Sequence, residues 1–229
     1  MELHSSDEPK GGRRAFLGQL AMAGAAGLAL ANGGVEGVSV LNAATLVTPP
    51  APDPEHWLDK LTAKNKQLVD GYEPNDGWPL GFVHTFLVTT TPTGGTNGAV
   101  LVLRHMAMPI ALDHSMWAKY KIGEAFKITD PATKKPAVKN PFLKPAPGTL
   151  LADDMSIDRL VARGVFVGAC NVALQVLSGM LAAGAGVTKE AAAKDWAANV
   201  IPGITVIPSG TWGVNRAQQH GCTYCSGGG

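Results

Sequence analysis

Cysteine is scarce in this chain, a net charge of one sign is lacking, and beyond Ala31 there is no long hydrophobic run. Three cysteines in 229 residues are too few for a disulfide scaffold. Nineteen Lys and Arg against eighteen Asp and Glu leave a net charge of +1, so there is no broad basic field to draw in nucleic acid. No segment after Ala31 approaches the ~20 strongly apolar residues needed to span a bilayer. What is present is a foldable mixture, 45% hydrophobic and 16% charged, which excludes a disordered chain. The length allows one domain or a small pair.

The N-terminal region differs from the rest. Met1 to Gly12 is polar. Arg13-Arg14-Ala15-Phe16-Leu17 follows, and an Ala/Gly/Leu/Met run continues to Ala31. A basic start, a weakly apolar stretch and small residues together describe a secretory leader. The Arg pair before Phe-Leu is similar to the twin-arginine consensus. Ala29-Leu30-Ala31 and the Ala43-Ala44 region are both cleavage candidates. The Ala15–Ala31 stretch is too short and glycine-rich to favour an uncleaved anchor. The expected organisation is a twin-arginine signal and flank over residues 1–45, a Pro-rich linker over 46–56 and one folded domain over 57–229. A bacterial periplasmic location follows from that reading, with the twin-arginine translocase as a partner during export.

In the mature chain, Trp57–Lys66 reads as a short amphipathic helix. Gln67-Leu68-Val69 reads as a short strand ending at Asp70-Gly71. Gly81–Val88 fits helix or strand. Ala99–Leu103 is continuously apolar and predicts a central strand covered on both faces. Asp113–Tyr120 predicts a short helix. Thr129–Leu150 carries five prolines and predicts a long surface excursion of a kind often functional or lid-like. Ser156–Arg163, Asn171–Ala183 and a segment opened by the Thr188 cap predict helices. Val165–Ala169 and Gly203–Ile207 predict strands, Thr211–His220 a last helix, and Cys222–Cys225 a short strand or turn. Strands alternating with helices imply parallel pairing.

In such a sheet, ligands bind outside the carboxyl ends of the strands. Cys170 is expected there, solvent-reachable where a strand hands over to its helix. A helix N-terminus stabilises a thiolate, the form that attacks sulfur or binds metal, although a free Cys is often only a small buried hydrophobe. Arg104 and His105 follow the strand Ala99–Leu103 in the corresponding place. Arg104 can hold an anion, and His105 can act as base or ligand. His220, Cys222 and Cys225 form a third candidate. A C-x-x-C can be a redox dithiol, a disulfide or half of a zinc site. On an extended strand the two cysteines would face opposite sides, whereas in a turn they could bridge.

Several segments together resemble exported members of the DsrE/DsrF-like sulfur-relay superfamily. They are Val100–Met106, Ala111-Leu112-Asp113, Trp117–Tyr120, Gly123-Glu124, Gly164-Val165 with Ala169-Cys170, and Ala217–Tyr224. The resemblance spans Trp57 to Cys225. It implies a three-layer α/β/α fold with a mostly parallel five-stranded sheet, homo-oligomeric assembly, and Cys170 as the persulfide-bearing residue, with sulfur donor or acceptor proteins as partners. The sequence requires no cofactor and leaves a metal open. The alternative function is a periplasmic metal, haem or small-ligand carrier using His105, Cys170 and the Cys222/Cys225 pair.

Overall fold

The computed structural model describes residues 54–89 and 94–228. The leader, its cleavage candidates and nearly all of the Pro-rich linker lie outside these residues. The described part contains five strands, β1 (Asn65–Gly71), β2 (Asn97–Leu103), β3 (Phe166–Cys170), β4 (Ile204–Ile207) and β5 (Thr223–Ser226). They form one sheet in the order β4-β3-β2-β1-β5, and every neighbouring pair is parallel. The helices are α1 (Trp78–Thr89), α2 (His114–Lys119), α3 (Ile122–Ala125), α4 (Ile157–Ala162), α5 (Asn171–Leu181), α6 (Lys189–Ala198) and α7 (Gly210–Gln219). The fold is a three-layer α/β/α arrangement.

The strands form because their apolar residues can be buried on both faces, as parallel sheets require. From Ala99 to Leu103, β2 is essentially inaccessible to solvent. Its alternate residues divide between two cores. Leu101 and Leu103 join Val69, Val167 and Ala169 on one face, beneath Leu80 and Val83 of α1, Ile157 and Leu160 of α4, and Leu174 and Leu177 of α5. Val100 and Val102 join Leu68 and Ile207 on the other face, with Ala217 of α7 and the turn residues Leu58 and Leu61. This second layer lies close to the sheet. A Cβ on Gly213 of α7 would come within 2.3 Å of Ile207 Cδ1.

The chain steps from β1 through β4 across the first face, then returns along α7 on the second to place β5 beside β1. Adjacent strands β3 and β4 therefore send their connections to opposite faces. That is the topological switch point at which open α/β sheets form crevices.

Two elements differ from expectation. Residues 57–66 form no helix. A 3₁₀ turn at Pro54–His56 leads into a turn, and β1 has begun by Asn65. Leu58 and Leu61 are buried all the same, so their three-residue spacing records one turn of chain facing the sheet. Gly81–Val88 resolves as helix within α1, with Pro79 in its first turn, where a missing N–H costs nothing. The Thr129–Leu150 excursion has no helix or strand and carries one isolated antiparallel bridge, Thr129 to Pro136. Asn140 anchors it. Its side-chain amide donates to the Ile110 and Leu112 carbonyls at 2.9 and 2.7 Å, and its side-chain oxygen accepts the Phe142 N–H at 3.0 Å. Gly123 lets the excursion close on α3, since a Cβ there would lie 2.3 Å from the Ala137 carbonyl oxygen.

Candidate functional site

The carboxyl ends of the strands carry two separate sets of chemistry. The first is at β1, β2 and β5. Parallel register sets Asp70 beside Val102, one residue before the end of β1, and Arg104 follows directly after β2. The Arg104 guanidinium donates to both oxygens of Asp70, Nε to Oδ1 at 2.7 Å and Nη2 to Oδ2 at 2.8 Å. Tyr224 of β5 donates its hydroxyl to Asp70 Oδ2 at 3.0 Å. Asp70 is only 5% exposed, and a carboxylate so placed must be paired. Its hydrogen bonds raise the Arg104 pKa above the ordinary value, against the opposing effect of burial. Burial, then the bond to Asp70, raises that of Tyr224.

Tyr72 extends this cluster. Its ring lies 4.7 Å from the centre of the Arg104 guanidinium and stacks on His105 with centroids 4.1 Å apart and planes 6° from parallel. Glu73 accepts the His105 Nδ1–H at 3.2 Å, because an ionised carboxylate can only accept. His105 holds a left-handed backbone, φ 49°, a conformation that costs a non-glycine residue about 1–2 kcal/mol.

The second set is at the switch point. Cys170 pairs with Ile207 across β3 and β4 and is the N-cap of α5, its Sγ accepting the Ala173 N–H at 3.3 Å. The strand-to-helix handover is where the sequence puts it. The sulfur's reach to solvent is not: Cys170 is 5% exposed and belongs to the core with Ala169, Ala173 and Leu174.

The three sequence candidates form no single bonded cluster, although Arg104 and Cys170 each directly follow the register pair Leu103–Ala169 on neighbouring strands. Arg104 spends Nε and Nη2 on Asp70, His105 is held by Tyr72 and Glu73, and neither makes a hydrogen bond to Cys170. Cys222 lies in the α7-side core, while Cys225 packs against the opposite core. Both are free thiols; Cys222 lies just before β5 and Cys225 within it, three residues on, so they face opposite sides as a two-residue period demands. Burial raises the Cys222 pKa, against the lowering effect of Lys66. The His220 ring nitrogen Nε2 lies 3.1 Å from the Leu61 carbonyl. Among the described residues no group of three His, Cys, Asp or Glu side chains is placed to hold a metal ion. Sequence reading alone missed Asp70, Tyr72, Glu73 and Tyr224. The available signal was an acidic residue ending one apolar strand and an arginine ending the next.

No family model matches the chain, and no curated protein does. Among solved structures, a protein of unknown function from Methanobacterium thermoautotrophicum is similar with a TM-score of 0.37 and 12% identity. The match covers 71% of this chain and 99% of the archaeal one.

Proposed function

We infer that this is an exported DsrE-like sulfur carrier in which Cys170 bears the transferred sulfur. One observation carries the reading: at the switch point of the sheet, the Cys170 sulfur accepts a backbone N–H at the start of α5. That donor fixes the sulfur's position at the first turn of the helix. The step is a transpersulfidation. The Cys170 thiolate attacks the outer sulfur of a donor persulfide, R–S–SH. A new S–S bond forms at Cys170, the donor S–S bond breaks, and the donor leaves as a thiolate. The transferred sulfur keeps its proton, so Cys170 ends as Cys–S–SH, and no outside oxidant is consumed.

Burial of the sulfur suits storage, because a shielded persulfide is protected from bulk reductants. Loading then depends on local opening of the β3–α5 turn, a motion of the sub-global kind that folded proteins undergo. The Arg13-Arg14 leader supports a periplasmic site of action, and the resemblance supports a homo-oligomer. Donor and acceptor are proteins or small thiols able to form persulfides.

Mass spectrometry after incubation with polysulfide tests this. The wild-type protein is expected to gain a reducible 32 Da adduct, one sulfur atom, located on Cys170. Cys170→Ser is expected to lose that adduct completely while retaining the fold, since serine also caps helices. An adduct confined to Cys222 or Cys225, or none at all on the folded wild type, ends the proposal.

A further inference from the structure

The Thr129–Leu150 excursion encloses a cleft that the sulfur-carrier reading does not use. His114, Asp130, Lys139, Asn140, Lys144 and Thr149 supply its polar lining, and its volume is about 210 Å³. That is room for a small molecule. Lys134, Lys135, Lys139 and Lys144 lie within the excursion, against the single acid Asp130. Of these, Lys139, Lys144 and Asp130 line the cleft, and the Asp158 and Asp153 carboxylates accept the Lys144 and Gly148 N–H groups of the excursion at 3.0 and 2.8 Å. None of these lysines forms an ion pair with any described residue. Asp130 turns one carboxylate oxygen inward to the Ala132 and Thr133 amides at 2.8 and 2.9 Å, so it does not neutralise them by contact.

His114 supplies a directional donor. Its Nδ1 accepts the Asn140 N–H at 3.1 Å, which leaves the proton of the neutral ring on Nε2. Asn140 is itself locked into the core, so the donor and the loop are fixed together. Burial is the first cause that lowers the His114 pKa. Lys139 and Lys144 also lower it, while Asp113 and Asp158 oppose them. The ring is therefore neutral at pH 7 and offers a hydrogen bond without competing for anions as a charge.

We propose that this cleft binds a small oxyanion, held by the Lys139 and Lys144 ammonium groups and oriented by the His114 Nε2–H and the Thr149 hydroxyl. The ligand class is inorganic phosphate or sulfate, or a compact carboxylate of similar charge. The site is independent of Cys170 and of sulfur transfer, so failure of either proposal leaves the other standing.

Calorimetric titration of the full chain at low ionic strength with inorganic phosphate, sulfate and citrate is the test. At least one of these is expected to bind saturably at one site. The His114 ring, followed by NMR, is expected to titrate at higher pH in the presence of the bound anion, because a nearby negative charge favours the imidazolium. Lys139→Gln with Lys144→Gln is expected to weaken binding by about tenfold or more, the scale of losing charge-assisted hydrogen bonds. Both side chains are exposed, so the fold is expected to survive. His114→Phe is the second variant, and it removes the NMR response together with part of the affinity. Absence of saturable binding by all three anions overturns the proposal. So does binding unchanged in the lysine variant, or binding only of a polyanion such as heparin, which would mark a diffuse basic surface.

Discussion

Two carboxylates in this protein are gripped by the same set of partners, a cation and a tyrosine, in different settings. Asp70 takes Arg104 and Tyr224 at the carboxyl edge of the sheet. Asp195 takes Lys119 Nζ at 2.6 Å and Tyr120 Oη at 2.8 Å, joining α2 to α6. Asp70 is 5% exposed and Asp195 25%. Asp195 sits at the periphery, where water can replace what it loses. Its pKa is lowered chiefly by the Lys119 hydrogen bond. Asp70 has little access to water, and its bidentate partner is planar and permanently charged, the combination best suited to a dry carboxylate. One group of residue types thus serves as a helix clamp in one place. In the other it is the fixed floor of a polar cluster carrying a stacked histidine in a strained backbone.

Removing the cation separates the two cases most strongly. Arg104→Met leaves the Asp70 charge buried with only Tyr224, and a loss of about 2–3 kcal/mol is expected, reduced from the fully buried figure because Arg104 is itself partly exposed. Lys119→Met should cost under about 1 kcal/mol, the range of exposed pairs. Urea denaturation of both variants measures the contrast. Equal losses would show that Asp70 is better solvated than its position implies.

The sheet was largely legible because burial on both faces writes itself as continuous apolar runs, as at Ala99–Leu103 and Val165–Ala169. The cap at Thr188 was legible from side-chain type and position, and so was the place of Cys170 at the start of a helix. The helix expected at Trp57–Lys66 was misread because two leucines three residues apart fit a single turn as well as a helix. The Asp70–Arg104 pair was not legible. It joins residues 34 positions apart, and only the register of β1 on β2, which sets Asp70 beside Val102, brings Arg104 within reach of it. The division of Cys222 and Cys225 between opposite cores follows from strand period, once β5 is known to be a strand. The burial of Cys170 was one of two readings open in the sequence, and only α5 and its neighbours closing over the sulfur decide it.

The tyrosines sharpen the contrast at a second level. Tyr120 is buried, 3% exposed, and packs edge-on against Trp196 with centroids 5.7 Å apart. Burial first, then the bond to Asp195, pushes its pKa up to about 12. The folded value lies above the unfolded one near 10, so the neutral phenol stabilises the fold fully below pH 10. That contribution is lost as pH rises from 10 towards 12. Tyr120→Phe should therefore cost about 1 kcal/mol at pH 7 and flatten the fall in melting temperature over that alkaline interval. A variant as steep as the wild type would remove Tyr120 from the cause.

Tyr224→Phe is expected to have the smallest effect, and the reason lies in exposure. The ring is about half exposed, so deleting its hydroxyl leaves a path for water to approach Asp70 Oδ2. That oxygen also keeps the Arg104 Nη2 bond at 2.8 Å. The net loss should be about 0.5 kcal/mol, the low end for one hydrogen bond. The double variant with Arg104→Met is the informative one. If Asp70 is as dry as its position implies, each partner compensates for the other, and removing both should cost more than the sum of the single losses. Strict additivity in urea denaturation would mean that water already serves Asp70, and its contrast with Asp195 would then reduce to the difference between an arginine and a lysine.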